Sequence, residues 1–228
     1  MSSDPKPVTP YSGRLELPGT VIADYILRAP ANPKELYLLL HGYGLTARSI
    51  FDKLSGVLPA DAAVLAPNGP YPVPEKQEVG YRVGYSWYFY DPFADEYLID
   101  HANSIRFLTQ GIEKLGFGGL PVRVIGFSQG GYLAPLVALQ LPKARQVIGV
   151  AARFLDDEIE GVPSFRYDNV HGGKDEVVNP AGSRKYHGKL IARGGRGEFL
   201  EDAESGHRLS PGIVALVKKA LELDGVAF

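Results

Sequence analysis

One stretch of the chain carries a serine in a setting suited to nucleophilic chemistry. Residues 121–131 read PVRVIGFSQGG, and the five residues around Ser128 match the pattern G-x-S-x-G. The pattern is typical of a sharp turn between a strand and a helix, which holds a serine at its tip in a strained backbone conformation. β-branched residues precede this motif, and an apolar segment of helical length follows it. This context, more than the five letters alone, favours a nucleophilic serine.

A serine hydroxyl needs a general base, and the base needs an acid that orients it. Where the serine lies on such a turn, the chain order is serine, acid and histidine. His207, in SGHRLS, follows the last predicted strand and is the candidate base, whereas His187 is expected on the solvated face of a helix. Asp175, in HGGKDEVV, is the candidate acid, with a turn or helix-cap role as its other interpretation. Asp156 and Asp157 are the alternative acids.

An oxyanion formed at the serine would need backbone N–H donors. One donor is the residue after the nucleophile, Gln129, and the other lies in the loop that follows the first buried strand, Leu36–Leu40. That loop reads HGYG, and its two glycines would let the backbone approach a substrate. Tyr43, between the glycines, is therefore the expected second donor. We expect His41 to be structural.

Alternating strands and helices from residue 36 onward predict the scaffold that positions these residues. Continuous apolar runs such as Leu36–Leu40 and Ala62–Ala66 are typical of strands covered on both faces. An α/β fold follows, with a mostly parallel central sheet and helices on both faces. Apolar spacing over Glu96–Leu115 predicts one of the helices. With 228 residues, the chain is expected to form a single domain over residues 1–228.

The first part of the chain is expected to differ from the rest. Residues 1–13 are predicted to be a loose N-terminal arm. Arg14–Leu17 and Thr20–Arg28, separated by a Pro-Gly turn signal, predict a hairpin at the edge of the sheet. No apolar run follows a basic region, as in a secretory signal, so we expect a cytoplasmic protein. No segment reaches the length of a membrane span.

Composition excludes several classes of protein. The chain has 24 basic and 26 acidic residues and a net charge of −2, which argues against a nucleic-acid or anionic-membrane partner. The absence of cysteine excludes disulfides, thiolate metal sites and a cysteine nucleophile. Hydrophobic residues make up 45% and charged residues 22% of the chain, a balance that argues against disorder.

The stretch Pro70–Asp91 is unusually rich in proline, glycine and aromatic residues. Its length and composition predict a functional loop. Trp87, Tyr88 and Tyr90 are expected to bind substrate, as one wall of an acyl pocket that admits short or medium chains. The alternative is that these rings pack in the core.

Six motifs together resemble one branch of the α/β-hydrolases. LLLHGYG, PNGP, SWYFYD, GFSQGG, HGGKDEVV and GHRLS, in this order, are similar to motifs of the phospholipase/carboxylesterase family, which includes acyl-protein thioesterases and small bacterial carboxylesterases. The resemblance covers most of residues 36–223. It implies a catalytic triad of Ser128, Asp175 and His207, with oxyanion N–H groups from Tyr43 and Gln129.

Two positions differ from the family's usual pattern. Leu45 stands where the family usually has an acid, and the tryptophan-phenylalanine-aspartate segment is longer here, at residues 87–91. Both differences border the expected acyl pocket, so the family's substrates do not transfer directly.

The residues and the resemblance together predict a serine hydrolase that cleaves carboxylic esters of short to medium acyl chains. The reaction would pass through an acyl-enzyme, with a small-molecule ester or thioester as substrate and with no metal or cofactor. Acyl-protein thioesterase, lysophospholipase and peptidase activities are alternatives. A ligand-binding protein on the same fold is the non-enzymatic alternative, against which the intact serine, aspartate and histidine pattern argues.

Overall fold

The computed structural model of the protein describes residues 19–227. Its strands, in chain order, are β1 (Tyr25–Arg28), β2 (Leu36–Leu40), β3 (Ala63–Pro67), β4 (Tyr71–Lys76), β5 (Tyr81–Ser86), β6 (Phe89–Asp91), β7 (Glu96–Ile99), β8 (Val122–Phe127), β9 (Ala144–Val150), β10 (Arg166–Gly172) and β11 (Phe199–Asp202). Its helices are α1 (Ala47–Leu54), α2 (Ala102–Lys114), α3 (Gln129–Leu139), α4 (Pro180–Ala192) and α5 (Pro211–Leu223), and a 3₁₀ turn, Ser55–Val57, follows α1. No helix in this part of the chain is long and apolar enough to cross a bilayer.

Seven strands form the central sheet, in the order β1-β3-β2-β8-β9-β10-β11. Every neighbouring pair is parallel except the pair of β1 with β3, which is antiparallel. The α/β fold with a mostly parallel sheet is therefore confirmed. Strand β1 lies at the edge of the sheet, as predicted, but begins only at Tyr25. Its expected hairpin partner, Arg14–Leu17, and the arm at residues 1–13 lie outside the described residues.

Helices cover both faces of the sheet. Strand β2 is fully buried, and its alternating side chains enter two separate cores: Leu36, Leu38 and Leu40 face one, and Tyr37 and Leu39 face the other. Helices α2, α3 and α4 pack on the first face, and α1 and α5 pack on the second. This two-sided burial explains why the central strands read as continuous apolar runs.

The prediction of a loop over Pro70–Asp91 is wrong. Strands β4 and β5 form one antiparallel hairpin, and β6 pairs with β7 in a second. Because β4 has a single neighbour in its sheet, its prolines can sit on an edge without removing a needed donor. The predicted helix Glu96–Leu115 is also shorter, since Glu96–Ile99 pairs with β6 and the helix begins at Ala102.

Candidate active site

Ser128 lies at the junction between β8 and α3. Its backbone has φ 52° and ψ −120°, a conformation that residues with a side chain rarely adopt. The Ser128 N–H donates to Val150 O at 2.8 Å, and Ser128 O accepts from the Gly131 N–H at 2.7 Å. These bonds tie the turn to the neighbouring strand β9 and to the first turn of α3. The strained strand-to-helix turn that the motif predicts is therefore present.

The two glycines of the motif are required by close backbone contacts. A Cβ atom on Gly126 would overlap the carbonyl group of Gly130, and a Cβ atom on Gly130 would overlap the carbonyl group of Leu40. The turn is packed against itself and against the end of β2, so only glycine fits at either position. This packing also brings the end of β2 next to the serine.

A chain of hydrogen bonds connects Ser128, His207 and Asp175. His207 Nε2 lies 2.9 Å from Ser128 Oγ, and His207 Nδ1 lies 2.8 Å from Asp175 Oδ2. Asp175 follows β10 and His207 follows β11, so all three residues sit at the carboxyl ends of parallel strands. The Asp175 side chain is fully buried, and its Oδ1 accepts from the N–H groups of Val177 and Val178 at 2.9 and 2.8 Å.

The tautomer of His207 follows from these partners. A buried carboxylate can only accept, so Nδ1 of His207 carries the proton and donates to Asp175. Nε2 is then free to accept from the Ser128 hydroxyl. The arrangement can therefore remove the serine's proton as its oxygen attacks an electrophile.

The alternative acids are bonded to basic side chains elsewhere. Asp156 forms ion pairs with Lys189 at 3.0 Å and Arg193 at 2.9 Å. Asp157 pairs with Arg153 at 3.0 Å, and this hydrogen bond holds the pKa of Asp157 below its usual value. Of the three candidate acids, Asp175 is the one that is hydrogen-bonded to His207.

His41 holds the loop that follows β2. It is fully buried, and its Nε2 accepts from the Gly69 N–H at 3.0 Å, so the proton lies on Nδ1, which donates to Gly42 O at 2.7 Å. Burial lowers the pKa of His41 to about 4, which keeps the ring neutral near pH 7. The peptide between Gly42 and Tyr43 is planar, so a fixed Gly42 C=O also fixes the direction of the Tyr43 N–H.

The same loop lies against Ser128. A Cβ atom on Gly42 would be 3.3 Å from the Cβ of Ser128. Tyr43, the next residue, is 51% exposed, and Gln129 opens α3 directly after Ser128. Of the two residues predicted to donate N–H groups, Tyr43 follows Gly42, which lies against Ser128, and Gln129 follows Ser128 itself.

The hairpin of β4 and β5 is bonded to this loop. The Gly44 N–H donates to Tyr85 O at 2.9 Å, and the Tyr85 N–H donates to Leu45 O at 2.8 Å. Leu45, one of the two positions that differ from the pattern of the family that the sequence resembles, thus forms an isolated β-bridge to the hairpin. The aromatic segment that follows β5 is anchored beside the loop at residues 41–44.

The structure places the three predicted substrate-binding aromatics differently from one another. Trp87 has no exposed surface and packs in the core, with its ring 4.8 Å from that of His41. A fully buried ring cannot form the wall of a pocket, so the prediction that Trp87 contacts the substrate is wrong. Trp87 instead packs beneath the loop that begins at His41. Tyr88 is half-buried against the core. Tyr90 is 39% exposed and donates its hydroxyl to Asp95.

Two histidines differ from the sequence-based interpretation or were missed by it. His187 was expected on a solvated face, which is wrong: it is buried, and its Nε2 donates to Tyr167 O at 3.3 Å. His171, also buried, has its Nε2 3.0 Å from Val178 O and 3.4 Å from Asp175 Oδ2. Its bond to Val178 O holds the loop that carries Asp175. The signal that could have found His171 is its position at the end of a buried strand, four residues before Asp175.

Within residues 19–227, no group of three or more histidine, aspartate or glutamate side chains is arranged to hold a metal ion.

Residues 24–224 match the sequence profile of the phospholipase/carboxylesterase family. The comparison with curated proteins gave no match. Among solved structures, esterase PE8 is similar, with 24% identity, a TM-score of 0.69 and coverage of 89% of this chain and 99% of its own. Acyl-protein thioesterase 2 from Zea mays has 19% identity, a TM-score of 0.67 and coverage of 89% and 99%. A carboxylesterase from Mesorhizobium loti has 20% identity, a TM-score of 0.64 and coverage of 90% and 95%. These structural likenesses concern the fold, whereas the profile match spans most of the chain, and the chain therefore belongs to the phospholipase/carboxylesterase family of α/β-hydrolases.

Proposed function

We propose that the protein is a serine hydrolase that cleaves carboxylic esters through an acyl-enzyme. One observation carries the proposal: Ser128, His207 and Asp175 are linked by hydrogen bonds of 2.9 and 2.8 Å, with the serine on a strained turn. A serine whose proton can pass to an imidazole backed by a buried carboxylate is suited to acyl transfer. Membership in a family of hydrolases supports this function.

In the proposed reaction, Ser128 Oγ attacks the acyl carbon while His207 Nε2 takes its proton. Asp175 keeps the other ring nitrogen protonated and stabilises the imidazolium that forms. The N–H groups of Gln129, at the start of α3, and of Tyr43 stabilise the negative charge on the carbonyl oxygen. His207 then donates its proton to the leaving alcohol or thiol. Water, activated by His207, next attacks the acyl-enzyme and releases the acid.

The half-buried Tyr88 and the more exposed Tyr90 remain the proposed wall of the acyl pocket. The bridge between Tyr85 and Leu45 supports this placement, because it anchors the start of the aromatic segment beside the loop at residues 41–44. Bulky rings here would fill space that a long acyl chain needs, so short or medium chains are the preferred substrates. A cytoplasmic location stays a prediction.

A series of p-nitrophenyl esters of rising chain length tests the proposal. We expect a burst of p-nitrophenol equal to the concentration of active sites, followed by slower turnover. Ser128→Ala should lose the burst and lose turnover by a factor on the order of 10⁴ or more. Ser183→Ala is the matched control, because Ser183 Oγ is buried in α4 and has no hydrogen-bond partner among residues 19–227.

A ligand-binding protein on the same fold would bind such esters without a burst. Turnover in Ser128→Ala that equals the wild type would also contradict the proposal. Thioesters and lysophospholipids of matched chain length, assayed in the same way, distinguish the carboxylesterase from the thioesterase and lysophospholipase alternatives.

A further inference from the structure

All three polar groups of Trp87 are hydrogen-bonded. The indole N–H donates to His41 O at 2.8 Å, and the main-chain N–H donates to the Gln129 side chain, at Oε1, at 3.0 Å. The main-chain carbonyl accepts from the Ser104 hydroxyl, which projects from α2. A buried tryptophan needs a partner for its indole N–H, and here the partner is the main chain at the start of the HGYG loop.

Two of these partners lie on the two sides of the proposed oxyanion site. His41 precedes the peptide that presents the Tyr43 N–H, and Gln129 supplies the other N–H from its own main chain. The bond from Trp87 fixes the His41–Gly42 peptide, and the bond from His41 Nδ1 fixes the peptide after it. Two consecutive peptides of a glycine-rich loop are thereby held in place.

The side chain of Gln129, the second proposed donor, forms two hydrogen bonds to the aromatic segment. Its Oε1 accepts from the Trp87 N–H, and its Nε2 donates to Tyr88 O at 2.8 Å. Gln129 is therefore joined to the same tryptophan that holds the HGYG loop. Trp87 is therefore hydrogen-bonded both to Gln129, one proposed N–H donor, and to His41, which lies two residues before the other proposed donor, Tyr43.

We propose that Trp87 is a positioning residue that sets the spacing between the main-chain N–H groups of Tyr43 and Gln129. The inference rests on the proposed function, because that spacing matters only if an oxyanion forms at Ser128. Oxyanion donors act on an oxygen position reached only in the transition state, and an error of about 1 Å can cost on the order of 10²-fold in rate. Trp87 would therefore affect kcat although its ring is fully buried.

Trp87→Phe is the main test, because it keeps an aromatic ring and removes the indole N–H. We expect kcat per active site to fall by roughly 10- to 100-fold, less than or similar to the loss of a whole oxyanion donor, with KM changed by less than about threefold. The affinity for a trifluoromethyl ketone, whose adduct with the serine carries an oxyanion, should fall by the same factor as kcat/KM. Active sites are counted by titration with a fluorophosphonate, so that misfolded protein does not lower the result.

Gln129→Met is the second variant, and it keeps the inference testable if Trp87→Phe folds poorly. Methionine preserves the main-chain N–H and the side-chain length but loses both bonds to the aromatic segment. Trp87 is the only tryptophan in the sequence, so its fluorescence reports directly on this variant. We expect a red-shifted emission, easier quenching by iodide and a fall in kcat of the same order as in Trp87→Phe.

Leu190→Ala is the control for a purely structural effect. Leu190 is fully buried in the same core as Trp87, on α4, and its truncation should lower the midpoint of thermal unfolding because it leaves a cavity. Its kcat per titrated site should equal that of the wild type. A Trp87→Phe or Gln129→Met protein that behaves like Leu190→Ala, less stable but with kcat per site within about twofold of wild type, would overturn the positioning role.

Failure of the proposed function would look different. The wild type would then show no burst, or Ser128→Ala would turn over as fast as the wild type, and the inference would fall with the function. If the burst occurs and Ser128→Ala abolishes it, while either Trp87→Phe or Gln129→Met keeps kcat per site within about twofold of wild type, serine hydrolysis stands and the positioning role of Trp87 is refuted.

Discussion

Replacing Asp175 by asparagine should stop catalysis while leaving the fold in place. The Asp175 side chain is fully buried, with Oδ1 bound to the N–H groups of Val177 and Val178 and Oδ2 bound to His207 Nδ1. Asparagine has the same shape, and its oxygen can keep the two main-chain bonds. Its NH₂ group then faces His207, and because this group only donates, the proton of the imidazole must move to Nε2. An N–H at Nε2 points at Ser128 and cannot take its proton.

The expected loss in kcat is about 10⁴-fold, the size found where a triad acid is changed to its amide. This factor corresponds to about 5 kcal/mol of lost transition-state stabilisation. Substrate binding does not use the carboxylate, so KM should stay within about threefold of the wild type. The free energy of unfolding should change by roughly 1–3 kcal/mol, since one buried hydrogen bond to a charged group is replaced by a neutral one.

The assay is kcat for p-nitrophenyl butyrate, divided by the number of sites that react with a fluorophosphonate. Asp157→Asn is the matched control, because Asp157 is one of the two alternative acids and is paired with Arg153 instead of His207. It should retain wild-type kcat. The assignment of the acid would be refuted if Asp175→Asn kept more than about a tenth of wild-type kcat. It would also be refuted if Asp157→Asn lost more kcat than Asp175→Asn.

Three further predictions concern the parts around these residues. Burial lowers the pKa of His41 from 6.5 to about 4, so between these pH values the unfolded state binds a proton that the folded state does not bind. The contribution of His41 to the free energy of unfolding should be full above about pH 6.5 and fall by at most about 3 kcal/mol toward pH 4. Urea unfolding of His41→Asn should therefore depend less steeply on pH than that of the wild type. Gly84→Ala would place a Cβ atom on Gly44 O and should cost about 1–3 kcal/mol by thermal unfolding, whereas Gly111→Ala, in open space on α2, should not destabilise. Tyr90→Ala should shift the ester profile toward longer chains, and an unchanged profile would mean that its ring does not limit the pocket.

The central sheet could be predicted because its signals are local. Strands β2 and β3 are buried on both faces, so each reads as an unbroken apolar run in the sequence. The two hairpins between β3 and α2 could not be predicted in this way. Their strands carry prolines and exposed residues, and they are held by pairing with a neighbour and by the bridge to Leu45, which a single stretch of sequence does not reveal.

Ser128, Asp175 and His207 could be placed near one another from the sequence for a topological reason. Each follows a strand of a parallel sheet, and the carboxyl ends of parallel strands meet at one edge. The burial of a histidine depends instead on how a helix packs. His187 was misplaced because α4 turns that side of the helix onto β10, where the ring reaches Tyr167 O.

Trp87 shows where reasoning from composition fails and what replaces it. An aromatic-rich segment beside a nucleophile suggests rings that face the substrate, yet this ring has no exposed surface. Its partners at His41 and Gln129 lie 46 and 42 residues away along the chain, so no local pattern could reveal them. A residue that is fully buried and hydrogen-bonded at its indole and at both main-chain groups is fixed in position, and it also restrains its hydrogen-bond partners. Gln129 is one of the proposed oxyanion donors, and His41 lies two residues before the other, Tyr43. We therefore expect changes at Trp87 to alter the rate of the chemical step, and changes at the exposed Tyr90 to alter the choice of substrate.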